Sequence, residues 1–100
     1  MDEKHVAITL GTDVMGWTKE EAEFMFPVWN PLKNIYDAWQ ALERLRGSLS
    51  VRLETHSGGW YIELENHLDL PISEEGKTAQ EAICKAALNN KTLQEITRTG

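Results

Sequence analysis

Few side chains in this sequence combine the type and the spacing that chemistry needs. The nitrogen and sulfur donors are His5, His56, His67 and a single cysteine, Cys84. No histidine lies three to five residues from another or from Cys84, so the ligand spacing of a zinc site is missing. His67 and Asp69 would supply only half a metal site, and a solvated loop pair is the simpler account. Cys84 has apolar neighbours and no nearby histidine in sequence, which suits a small buried hydrophobe better than a nucleophile. Glu63 and Glu65 project from one strand face two residues apart. Hydrolases use such pairs, but the outward face of a hairpin carries the same pattern. Gly58-Gly59 fits neither phosphate-cradling glycine motif and reads as a hairpin turn. No acid–base or nucleophile arrangement emerges, so neither an enzyme, a cofactor nor a metal is expected.

Aromatic rings are the other source of recognition chemistry, and four tryptophans in 100 residues is a rich supply. Trp39 and Trp60 fall on apolar faces and are expected in the core. Trp17 and Trp29 lie in an irregular segment between helices, where they either staple that loop down or line a pocket. Tyr61 points away from Trp60, either exposed or under the N-terminal segment. The candidate ligand-binding set is therefore Trp17, Trp29, Arg52, His56 and Tyr61.

These residues must be positioned by a small set of elements. Residues 2–15 are ambiguous: Val6, Ile8 and Leu10 alternate as in a strand, whereas Val6, Leu10 and Val14 share a helix face. Thr18 and Glu21 form a capping box for a short helix that Pro27 ends. Asn30-Pro31 is expected to open the clearest helix, with Leu32, Ile35, Tyr36, Trp39, Leu42 and Leu45 on its apolar face and Gly47 as a left-handed stop. Ser48–Thr55 and Trp60–Glu65 alternate cleanly about a Gly-Gly turn, an antiparallel hairpin with one buried face. Arg52 should meet Glu63 across its solvent face. A third, edge strand is expected near residues 69–73 beside Pro71. Thr78 and Glu81 form a second capping box, for an alanine-rich helix ending near Asn89-Asn90. The fold class that follows is α+β: a two-layer α-β-β-(β)-α unit with an N-terminal helix, a small antiparallel sheet packed on helices. It forms a single domain over residues 1–90, followed by a polar tail, 91–100, expected to fray. The N-terminal segment is left to cover the outer sheet face, a helix flank or a partner chain.

Composition narrows the partners. Ten basic against sixteen acidic residues give a net charge of −6, opposite to the balance that neutralises phosphates, so nucleic acid is disfavoured. One cysteine excludes a disulfide framework, no run is apolar and long enough to span a membrane, and the opening Met-Asp-Glu-Lys does not resemble a signal peptide. A cytoplasmic location is expected.

Several of these strings resemble the phage ABA sandwich domain family. They are Val14-Met15-Gly16-Trp17 after an N-terminal segment, Asp37-Ala38-Trp39, Gly59-Trp60, and Thr78-Ala79 leading to Ala82-Ile83-Cys84-Lys85-Ala86-Ala87-Leu88, over residues 6–88. The resemblance implies a phage or prophage protein and a helix over residues 2–14, but no activity. The loop after Trp17 is shorter than the family pattern implies. The order α-β-β-β-α and Asn30-Pro31 also resemble double-stranded RNA-binding domains, which need a basic cluster where Lys77-Thr78-Ala79-Gln80-Glu81 stands. Trp60–Leu64 followed by Gly76–Ala82 is similar to HicB-type antitoxins over a third of the chain. The functional expectation is a non-catalytic interaction module, either self-associating as a homodimer or bound to a host or phage protein. The alternatives are sequestration of a signalling nucleotide in counter-defence and a module like those that bind double-stranded RNA.

Overall fold

The structure, a computed structural model, describes residues 1–47, 49–65 and 71–99, with side chains as far as Thr92. The chain order is α1 (Glu3–Asp13), α2 (Lys19–Met25), α3 (Ile35–Arg46), β1 (Ser50–His56), β2 (Gly59–Glu65), β3 (Ile72–Gly76) and α4 (Ala79–Thr99). The three strands form one antiparallel sheet in the order β1-β2-β3. This is the expected α+β class. The His67–Asp69 pair lies outside the described residues, as does the start of the expected third strand.

The ambiguous N-terminus is helical. Asp2 caps α1 by accepting from the Lys4 N–H, and Val6, Ala7 and Leu10 are buried along one side. Gly11, which costs helix propensity, is there for close approach: a Cβ would lie 3.0 Å from the Ala22 Cβ and 3.1 Å from the Trp17 ring. The Thr18–Glu21 capping box of α2 is complete in both directions.

The helix expected from Asn30 starts later. Asn30–Lys33 turn tightly, and Asn34 is the cap, accepting from the Tyr36 N–H. Asn30 is used elsewhere: its N–H donates to Asp37 and its side-chain amide donates to Glu3, tying the α3 entry to α1. Gly47 ends α3 with right-handed, not left-handed, geometry (φ −62°). The Leu49 N–H bonds back to the Leu45 carbonyl at 3.0 Å, an α-type bond past the cap.

Helices α3 and α4 form a middle layer. Ala38 and Leu42 of α3, with Ala82, Ile83 and Ala86 of α4, pack on Ile62, Leu64 and Ile72 of the sheet. On the opposite side, Ala41, Leu45, Cys84 and Ala87 pack against Val6, Ala7 and Leu10 of α1. The N-terminal helix therefore covers the helical flank and leaves the outer sheet face open. Burial on two sides explains the alanines of α4: seven buried positions from Ala79 to Asn90 span roughly 200° of its circumference. Asn89-Asn90 does not end this helix, which runs to Thr99. Asn90 is buried, and Asn89 donates to Glu74 of β3 at 2.6 Å.

Candidate binding surface

The five candidate residues fall into two regions. Trp17 and Trp29 meet edge to face, with ring centroids 4.9 Å apart and planes at 74°. Trp29 is buried, and its indole N–H donates to Gln40 Oε1 at 2.9 Å. That pair holds the segment between α2 and α3 onto the α1 side of the molecule. Trp17 also walls a shallow hollow of about 330 Å³ with Glu20, Glu21, Phe24 and Met25 of α2.

Arg52, His56 and Tyr61 lie instead with the sheet. The hairpin register places Arg52 opposite Glu63, and they pair at 2.9 Å as the alternation requires. Arg52 also reaches Glu54 at 3.2 Å, and the two carboxylates, Glu54 first, raise the guanidinium pKa above its ordinary value. The Tyr61 hydroxyl donates to Glu63, and Ser73 also lies within hydrogen-bond distance at 3.1 Å. His56 is 4.0 Å from Glu75. This face is a polar lattice of side chains that satisfy one another. Among the described residues no three histidine, cysteine, aspartate or glutamate side chains converge as a metal site, and no helix is long and apolar enough to cross a membrane.

An apolar surface also lies open on the flank of α3, where the helical spacing predicts core. Trp39 is 48% exposed, with Tyr36 at 81% and Ile35 at 37% beside it, which corrects the expectation that Trp39 is buried. The reason is angular. Ala38, Ala41, Leu42 and Leu45 occupy an arc of roughly 100° that faces α4, α1 and the sheet. Ile35, Trp39 and Tyr36 continue the apolar stripe past its edge. Trp60 is half-buried, and with Ile35, Trp39, Leu53 and Lys77–Gln80 it lines a groove of about 510 Å³ between α3, the hairpin and the α4 N-terminus. A signal for this was present: Ala38 and Ala41, like the alanines of α4, mark where a helix is approached closely, so the large rings must turn elsewhere.

No curated protein and no solved structure matches the chain. The model of the phage ABA sandwich domain, however, matches residues 8–88, from the middle of α1 through the alanine-rich part of α4, and this chain belongs to that phage-associated family.

Proposed function

We propose that this protein is a non-catalytic interaction module of a phage or prophage, acting inside the host cell by protein contact, either with a second copy of itself or with a host or phage protein. The observation that carries the reading is the uncovered aromatic flank of α3. Three large apolar side chains, Ile35, Tyr36 and Trp39, stand in solvent next to a groove walled by Trp60 and Leu53. Contiguous exposed apolar surface rimmed by polar groups is the mark of a contact site, and tryptophan and tyrosine are the side chains that dominate such contacts.

The test is photo-crosslinking in the producing cell. Benzoylphenylalanine at position 36 should yield a discrete protein adduct, and the same group at the exposed position 4 on α1 should not. Trp39→Ser should abolish the adduct while shifting Tm by no more than about 5 °C, because half of this ring is already in water. No adduct at position 36, or equal adducts at 36 and 4, would remove the reading.

A further inference from the structure

We propose that the open edge of β1 pairs antiparallel with β1 of a second copy, about a two-fold axis through Leu53, joining two three-stranded sheets into one of six. The assignment rests on the interaction-module reading and names its partner and geometry.

The two sheet edges differ. The β3 edge is short and guarded: Pro71 precedes it, the Lys85 ammonium donates to the Glu75 carbonyl at 3.1 Å, and Asn89 holds Glu74. The β1 edge runs seven residues with no proline, glycine or lysine, and it has no strand neighbour but β2 among the described residues. Edges built this way are templates for another strand.

The phase of the backbone fixes which residues can pair. The turn Ser57-Gly58 closes on the His56–Gly59 pair. In a two-residue hairpin the closing pair is hydrogen-bonded, and the alternation then points the backbone groups of residues 50, 52, 54 and 56 at β2. Val51, Leu53 and Thr55 present their N–H and C=O groups at the open edge. A two-fold at Leu53 sets Leu53 against Leu53 of the second copy and Val51 against Thr55, both in hydrogen-bonding phase.

Charge selects this register over its neighbours. Between those pairs, Arg52 falls opposite Glu54 of the second copy, and Glu54 opposite its Arg52, in the closer, non-hydrogen-bonded positions. A two-fold at residue 52 would oppose arginine to arginine, and one at residue 54 glutamate to glutamate. On the inner face, Val51 and Leu53 are half-buried in the single chain. Leu53 is also a wall of the groove that holds Ile35, Trp39 and Trp60, so pairing there extends cover towards the uncovered rings.

Crosslinking in a Cys84→Ala background tests the register, with Leu53→Cys compared with Val51→Cys and Thr55→Cys. Leu53→Cys should oxidise to a dimer at least about tenfold faster than either neighbour, since only residue 53 meets itself at a Cα separation a disulfide spans. Light scattering should show a dimer. Arg52→Glu should weaken it roughly tenfold, and Arg52→Glu with Glu54→Arg should restore it, because the two-fold pairs these positions reciprocally. Circular dichroism confirms that each variant is folded. A monomer at millimolar concentration overturns the pairing, while an adduct of Tyr36-position crosslinker with another protein leaves the broader reading standing. A dimer that persists in Arg52→Glu with no preference for Leu53→Cys also overturns it, and places self-association on the α3 flank instead.

Discussion

Replacing Gly76 with alanine should cost about 3 kcal/mol and lower Tm by roughly 15 °C, a large part of the margin of a domain this small. Gly76 is the last residue of β3, two residues before the cap of α4. A Cβ there would sit 2.6 Å from the Ala82 backbone nitrogen and 3.0 Å from the Thr78 carbonyl oxygen. Both are main-chain atoms at the first turn of the buried helix, so relief requires moving α4 off the sheet rather than rotating a side chain. A Cβ on Gly59, in the hairpin, would run into the Gly76 carbonyl. The two glycines thus let the hairpin and the β3–α4 junction close on one another, beside the groove lined by Trp60 and Lys77. Gly47→Ala is the control: its φ is −62° and the nearest atom to a new Cβ is 3.5 Å away. It should be neutral or slightly stabilising. Thermal denaturation of both variants decides the point, and a Gly76→Ala protein within 3 °C of wild type would refute the close-packing account.

Elements were legible in the sequence wherever a local rule was complete. The Thr18–Glu21 box, the alternation of 49–55 against 60–64 and the Arg52–Glu63 pairing need only neighbours or one cross-strand partner, and each is present. What required tertiary information was less legible. Residues 2–15 carry both periods, and their helix is settled by packing on α4, a contact made by residues some eighty positions away. Asn30-Pro31 has the chemistry of a helix start, but Asp37 and Glu3 claim Asn30, and the cap passes to Asn34. Trp39 is the telling case. Helical spacing among apolar residues predicts a core position, but the α3 stripe is wider than one buried arc can absorb. Of the ring-rich candidates, Trp17 and Trp29 do meet as the loop position suggested, but Arg52, His56 and Tyr61 lie on a different layer. Linear proximity carries no information about which layer a residue joins.

Cys84 should be inert in the folded protein, with Ellman's reagent reacting at least about a thousandfold more slowly at pH 8 than in urea. The side chain is fully buried among Val6, Ala7, Leu10 and Ala87, and desolvation pushes its thiol from the ordinary 9.0 up to about 12. At pH 8 an ordinary thiol is about one-tenth ionised; one at 12 is ionised about once in ten thousand, and only the thiolate attacks. Labelling must then wait for α1 to lift from the middle layer, so Leu10→Ala, which hollows that contact, should accelerate it. The same shift makes the group a source of alkaline instability. The unfolded chain releases this proton near pH 9 and the folded chain keeps it to about 12. The contribution is therefore fully present below pH 9 and is lost as pH rises towards 12, at up to about 1.4 kcal/mol per pH unit. Urea titrations at pH 8, 9.5 and 10.5 should show a stability that falls more steeply in wild type than in Cys84→Ala. Parallel slopes, or rapid native labelling, would mean the thiol is reachable after all, and would reopen the nucleophilic role that its apolar neighbours argue against.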